Sequence, residues 1–318
     1  MRSAFINSLI ELAASDERTM LITGDLGFGV VESFARRFPQ RFINSGVAEQ
    51  NMTGIAAGLA LSGKIVFTYS IGNFPTLRCL EQIRNDICYH ATNVKIASAG
   101  GGFAYGPLGA SHHATEDIAI MRALPNMTVI APGDPLEARK ATAALAALPG
   151  PAYLRLGRAG EPRVHTGEID LKIGKAIQLM DGSDVTLIST GGMLHDTVAA
   201  AEILQCRRIN ARVLSMHTIK PLDEAAVLAA ARDTHAILTI EEHSVIGGLG
   251  GAVAELLAER ADSPVSFKRL GLPSQFATTI GTQRFLKDAH SLSAAGIADA
   301  AVKIFQDSPG ERQLSRIA

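Results

Sequence analysis

Short apolar runs alternate with helix-patterned stretches along most of this chain, and that alternation limits the fold more than any single motif. In the first half, apolar runs at Thr19–Thr23, Lys64–Thr68, Val94–Ala99, Met127–Ile130 and Ala152–Leu156 read as strands. Helical patterns at Ser3–Ala14, Ala48–Leu61, Thr76–Tyr89, Glu116–Leu124 and Pro135–Leu148 fall between or beside them. Strands alternating with helices of this length build parallel sheets through crossover connections. Gly24, Gly63, Pro107, Pro125, Pro132 and Pro149 punctuate the joints. After a connector at Gly157–Arg163 and a short strand-rich bridge to about Gly182, a second alternation starts. Its strands are expected at Val185–Ser189, Ala211–Met216, Ala236–Ile240 and Val265–Leu270, and its helices at Leu194–Gln205, Asp223–Arg232, Gly248–Arg260 and Ser291–Phe305. The expectation is an α/β protein of two consecutive doubly wound, mostly parallel-sheet domains: residues 1–160, a linker 161–182, residues 183–307, and a flexible tail 308–318.

Bulk properties narrow the function classes. The 318 residues are 47% hydrophobic and 19% charged, with net charge −1, so nothing marks a nucleic-acid or membrane surface. No apolar run is long enough to span a bilayer. The start, Met1-Arg2-Ser3-Ala4-Phe5-Ile6, enters a helical pattern holding Asn7 and Glu11 rather than a signal peptide. Cys79, Cys88 and Cys206 show no ligand or disulfide spacing, which fits a reduced, cytoplasmic setting.

Four segments carry candidate chemistry. The run Asn44-Ser45-Gly46-Val47-Ala48-Glu49-Gln50-Asn51-Met52 sets Glu49 at the head of a helix of small and apolar residues. A carboxylate there is poorly solvated, which suits proton exchange. The alternative is local: Ser45 caps the helix and Glu49 complements its dipole. Gly24-Asp25-Leu26-Gly27-Phe28-Gly29 follows a strand, but its spacing is not the dinucleotide fingerprint. Asp25 at a strand's carboxyl end is either a site residue or a turn former. Tyr69 and Phe74 leave another strand end, where each can stack on a flat ring or fill the core. The Gly-rich loop Gly106–Glu116 carries His112 and His113 ahead of a helix; such loops bear function, and imidazoles move protons near neutral pH. Adjacent histidines rarely share one metal ion, and the competing role is capping by Ser111 with solvated histidines. Glu241-Glu242-His243 before Gly247-Gly248-Leu249-Gly250-Gly251 reads as a structural or subunit-contact segment.

Taken in order, these motifs resemble the transketolase family of thiamine-diphosphate enzymes, from about Ser3 to about Phe305. The ordered set is Gly24-Asp25-Leu26, Gly46–Met52, Gly109-Ala110-Ser111-His112-His113, Leu124-Pro125-Asn126-Met127, then Ser215–Asp223 and Glu242-His243 through Gly250. The resemblance implies a pyrimidine-binding domain followed by a transketolase C-terminal domain. It implies that Glu49 hydrogen-bonds the aminopyrimidine of thiamine diphosphate, that Tyr69 or Phe74 stacks on that ring, and that Asp25 lies beside the cofactor. His112 would contact a sugar hydroxyl or carbonyl, with His113 beside it in a less defined role. Arg158 and Arg2 would grip a substrate phosphate.

Departures from the family pattern shape the rest. The family's Gly-Asp-Gly motif, which begins its metal–diphosphate site, does not occur here; Gly133-Asp134-Pro135 and Asp181-Gly182 do not supply it. With a helical pattern starting at Met1, no preceding diphosphate domain is expected. The expectation is one subunit of a split transketolase transferring a two-carbon ketol unit, with Mg²⁺ or Ca²⁺ held by a diphosphate-binding partner, and a homodimer of this chain inside a heterotetramer. Where the family has a further phosphate-contacting histidine, this chain has Ala99-Gly100-Gly101-Gly102-Phe103, so the usual sugar-phosphate preference need not hold. Two other readings share the architecture: a 2-oxo acid dehydrogenase β subunit or a deoxyxylulose-phosphate-synthase-like enzyme. A third is a non-catalytic assembly subunit.

Overall fold

The computed structural model describes residues 1–308, so the expected tail lies, apart from Ser308, outside the described residues. The first half runs α1 (Arg2–Ser15), β1 (Thr19–Thr23), α2 (Glu32–Arg37), β2 (Phe42–Asn44), α3 (Glu49–Leu61), β3 (Ile65–Ile71), α4 (Leu80–Gln82, continuing as a π-helix at Ile83–Tyr89), β4 (Val94–Ala99), α5 (Asp117–Ala123), β5 (Thr128–Ile130), α6 (Pro135–Ala147) and β6 (Ala152–Leu156). The second runs β7 (Ile177–Met180), β8 (Val185–Ser189), α7 (Leu194–Cys206), β9 (Ala211–Ser215), β10 (Thr218–Lys220), α8 (Glu224–Asp233), β11 (Ala236–Ser244), α9 (Leu249–Arg260), β12 (Ser266–Leu272), α10 (Gln283–Ala289) and α11 (Ala294–Gln306).

Two sheets result, of order β10-β5-β6-β4-β3-β1-β2 and β12-β11-β8-β9-β7. Every pairing is parallel except β10 with β5 and β7 with β9. Both sheets are covered on both faces, as the near-continuous apolar strands require. In the first, Phe5, Leu9 and Phe34 of α1 and α2 pack with α6 residues on one face, and Met52, Ala56, Ile83 and Ile118 on the other. In the second, α7 and α11 cover one face, and α8 and α9 the other.

The architecture is the α/β one expected, with corrections in the short elements. The expected helix at Thr76–Tyr89 begins as a 3₁₀ turn at Leu77–Cys79 and widens into the π-helix. β10 matches no expected element: it leaves the second half to become the edge strand of the first sheet, so the two halves share one sheet. Its Lys220 ammonium bonds the carbonyls of Arg122 and Leu124 at 2.9 and 2.6 Å, closing the end of α5.

One lysine is fully buried. Lys95 of β4 is 0% exposed and donates to the Leu148 and Gly150 carbonyls at 2.6 and 2.5 Å. Burial pushes its ammonium down to about 7. Above that value the folded chain loses this proton while the unfolded chain keeps it up to its ordinary value near 10.5. The unfolded state therefore binds more protons across that window, and this group makes stability rise with pH there. Thermal melts at pH 7 and pH 9 should show that rise in the wild type and a reduced rise in Lys95→Met.

Candidate active site

In an open parallel sheet, ligands gather at the carboxyl ends where successive connections turn to opposite faces. In the first sheet that point lies between neighbouring β1 and β3. The chain leaves β1 for α2, on the α1 face, and leaves β3 for the π-helix, on the other. Three loops and the start of α3 converge there.

Glu49 is the first residue of α3 and is 1% exposed. The helix starts there because Gly46 sits at φ +73° and Ala48 N–H turns back onto the Gly46 carbonyl at 2.7 Å. Ser45 does not cap the helix; its hydroxyl bonds the Thr23 carbonyl at 3.1 Å. Arg78 Nη1 meets Glu49 Oε2 at 2.7 Å. Oε1 is sealed from water and has no partner among the described residues. A buried carboxylate oxygen left without a donor is costly, so a ligand that offers one is favoured. Gly24 leaves room for this carboxylate: a Cβ there would lie 3.3 Å from Glu49 Cγ.

The other expected residues divide into those that face this carboxylate and those that brace it. Phe74 does the first. The Arg78 guanidinium lies 4.5 Å from its ring centroid, and the His112 ring meets it edge-on at 5.2 Å. Tyr69 lies beneath: 1% exposed, it stacks on Phe5 at 5.8 Å, and burial pushes its phenol up to about 12. Asp25 is exposed, with φ +57°, and is held by Asn44, whose amide donates to Asp25 Oδ1 at 2.9 Å and accepts from Asp25 N–H at 3.0 Å. The same Asn44 oxygen accepts from Gly46 N–H at 3.0 Å, so one side chain ties the Asp25 loop to the Glu49 loop.

The histidine pair splits in role. His112 is half-buried beside Phe74 and 6.3 Å from the Tyr105 ring. Ser111 does not cap a helix; its hydroxyl pairs with His112 Nδ1 at 3.0 Å. Burial, with the neighbouring His113, holds the His112 imidazole below its ordinary value, so it is neutral at pH 7. His113 is 4% exposed, pairs through Nε2 with the Gly106 carbonyl at 3.1 Å and abuts Phe103 edge-on. Arg158 and Arg2 stand side by side at the end of β6: Arg2 Nε bonds the Arg158 carbonyl, and the Arg158 guanidinium lies 5.0 Å from the Tyr105 centroid. Neither makes a carboxylate pair among the described residues.

Sequence reasoning missed Arg78, Asn44 and Tyr105. Arg78 was the visible one, a lone cation in the apolar run after β3. Tyr105 packs so tightly on Gly100 (φ +92°) that a Cβ there would lie 2.2 Å from its ring. No group of three His, Cys, Asp or Glu among the described residues is placed to hold a metal.

Comparison with known proteins gives this geometry a family. Residues 1–161 match the pyrimidine binding domain of transketolase and residues 174–297 its C-terminal domain. The chain belongs to the transketolase family. Within it, the chain is similar to proteins that are single subunits. It is 41% identical to an apulose-4-phosphate transketolase subunit of Phocaeicola vulgatus, over 86% of this chain and 88% of that one. It is 39% identical to the 6-deoxy-6-sulfo-D-fructose transketolase subunit SqwH of a Clostridium species, over 96% and 94%. A solved structure described as a split gene transketolase, inactive beta4 tetramer, superposes with TM-score 0.86 at 39% identity, over 96% of this chain and 97% of that one. Against the 1-deoxy-D-xylulose-5-phosphate synthase of Desulfitobacterium hafniense, 35% identical, the match spans 47% of the longer protein.

The two histidines should separate in experiment. His113→Ala removes the shorter of the two bonds to the Gly106 carbonyl, leaving the Gly109 N–H at 3.3 Å, and opens a hole beside Phe103, so it should cost on the order of 2 kcal/mol in denaturant unfolding. His112→Ala should leave the unfolding midpoint nearly unchanged.

Proposed function

We propose that this chain is the pyrimidine-binding subunit of a split, thiamine-diphosphate-dependent transketolase that moves a two-carbon ketol unit from a ketose donor to an aldose-type acceptor. The observation that carries this reading is the unpartnered, buried Glu49 Oε1 beside Arg78, Phe74 and His112. The residues fit the cofactor's pyrimidine half: an orphaned acceptor for a ring N–H and a half-buried aromatic face for stacking.

When bound, thiamine diphosphate supplies a thiazolium ring that accepts the electron pair as a ketose carbon–carbon bond breaks. The chain's own residues do the rest. Arg78 fixes the Glu49 carboxylate through Oε2 and leaves Oε1 to share a proton with the aminopyrimidine. Phe74, rather than Tyr69, offers its ring to that heterocycle; Tyr69 supports from below. Asp25, oriented by Asn44, flanks the cofactor. His112, neutral at pH 7, can accept or donate a hydrogen bond at a substrate hydroxyl or carbonyl oxygen. Arg158 and Arg2 would take an anionic far end of the sugar, where a guanidinium fork matches a tetrahedral oxyanion. His113 holds the loop rather than the substrate.

The metal–diphosphate half, with its Mg²⁺ or Ca²⁺, would come from a diphosphate-binding partner, since the 318 residues carry no Gly-Asp-Gly triplet. Phe28 and Val47, 74% and 75% exposed on the loops beside Glu49, suit burial under that partner. A homodimer of this chain would then sit in a cytoplasmic heterotetramer with two sites. Glu49 and His112, joined through Arg78 and Phe74, weigh against a non-catalytic assembly role.

Two measurements test this. Calorimetry should find weak or no thiamine diphosphate binding to this chain alone, with binding restored by the partner; tight binding without a partner would sink the split-subunit reading. In the assembled enzyme, Glu49→Gln should keep the Arg78 contact and the fold while cutting turnover by about 10²–10⁴-fold. Normal turnover would return Glu49 to a dipole-complementing role.

A further inference from the structure

The second sheet has a crevice of its own. β8 and β11 are neighbours, but the chain leaves β8 for α7 on one face and passes from β11 to α9 on the other. That is the same parting of connections that places the first site, and it opens where ligands of α/β sheets bind. A cavity of about 610 Å³ lies there, between the halves, walled by Gly101 and Gly157 from the first and Gly191, Gly192 and Glu242 from the second. None of the residues assigned above to the cofactor or substrate lines it.

Its wall offers donors that no protein group takes among the described residues. Arg155 is 5% exposed and lines the cavity. Its Nε bonds Asp117, and its Nη2 bonds the Ala114 and Glu242 carbonyls. Nη1 has no hydrogen-bond partner among the described residues and lies 3.6 Å from where a Cβ on Gly191 would stand, facing the cavity wall. Ser293, Ala294 and Ala295, the first turn of α11, line the opposite side, and Ser293 makes no capping bond to that 13-residue helix. Arg284 adds an exposed cation with no ion pair among the described residues. The wall's carboxylates are mostly engaged: Glu242 accepts from Phe103 N–H and Gln283, Asp196 is bonded to Lys287, and Glu161 holds the Met1 amine at 2.6 Å. Asp288 is exposed at the rim.

We infer that this interdomain cavity is a second ligand site, for a small phosphorylated or otherwise anionic metabolite whose oxyanion is taken by Arg155 Nη1 and the open first turn of α11. A free guanidinium N–H pair and unpaired helix N–H groups are complementary to an oxyanion. The volume exceeds what inorganic phosphate needs and fits a sugar-phosphate-sized molecule.

Calorimetry on the full chain with inorganic phosphate tests this, comparing wild type with Arg158→Ala, alone and combined with Gly192→Asp. A Cβ on Gly192 meets nothing within 4 Å, so the aspartate places a negative charge on the wall without a clash. Unchanged melting temperature in phosphate-free buffer confirms that Gly192→Asp folds; Ala295→Asp, on the exposed first turn of α11, serves if it does not. Phosphate should still bind Arg158→Ala, which lacks the cation at the proposed substrate end, and adding Gly192→Asp to that variant should weaken the binding at least about tenfold. Binding to Arg158→Ala that survives the wall charge overturns the site. Binding already lost in Arg158→Ala alone also overturns it, and assigns the phosphate to the proposed substrate end instead. No phosphate binding to the wild type at millimolar concentration overturns it as well.

Discussion

The buried ion pair of Arg155 and Asp117 is the constraint on which the rest of the molecule depends. Both side chains are out of water, 5% and 0% exposed, with Nε and Oδ2 2.8 Å apart. Burial opposes the charge on Asp117, and the Arg155 guanidinium outweighs it, so the carboxyl is held below its ordinary range. Tyr153 Oη donates to the same carboxylate oxygen at 2.5 Å. Removing either ion would leave the other uncompensated, which in a buried pair costs about 3–5 kcal/mol. The pair also gathers chain segments. Arg155 stands on β6, Asp117 opens α5, and the second guanidinium nitrogen reaches Ala114 and Glu242. The histidine loop thus ends at a fixed point, and the two halves meet over one charge cluster.

Both sheets place a crevice by the same topological rule, and they line it differently. The first has a buried carboxylate, a half-buried aromatic ring and a neutral imidazole, groups suited to a heterocycle and a sugar. The second is walled by glycine turns that let backbone approach closely. Glu242 shows the cost of that approach. A Cβ on Gly102 would lie 2.6 Å from its carboxyl carbon, so the loop after β4 can pass only as glycine. The segment Glu241–His243 is accordingly structural. Glu241 accepts from Leu249 and Gly250 N–H at the head of α9, Glu242 from Phe103 N–H, and His243 Nε2 from Ala119 N–H.

Much of this was legible in the sequence because the strands are buried on both faces. Thr19–Thr23, Val94–Ala99, Ala152–Leu156 and Val185–Ser189 fall where their apolar runs place them. The same property hid the choice between Tyr69 and Phe74, since a strand without polar alternation does not say which side a residue faces. Glu49 was conspicuous as a charge at the head of an apolar helix, and His112 as part of a pair in a glycine-rich loop. Arg155 was not: its partner is 38 residues away and its strand reads as one more apolar run. Three-residue β2 and β10 fall below any periodic signal; pairing with β1 and β5 makes them strands.

The borrowed edge strand has a consequence for modularity. Cleaving the chain in the connector between the halves would strip β10 from β5 and leave that strand's edge bare, an invitation to aggregation. The halves are therefore one unit of folding and of inheritance, and their cores also interlock, with Ala252 packed into the first and Phe103 into the second. A gene encoding this pair can be fused to or parted from other domains at its ends, but fission between its own two halves would require a new solution for the open edge of the first sheet.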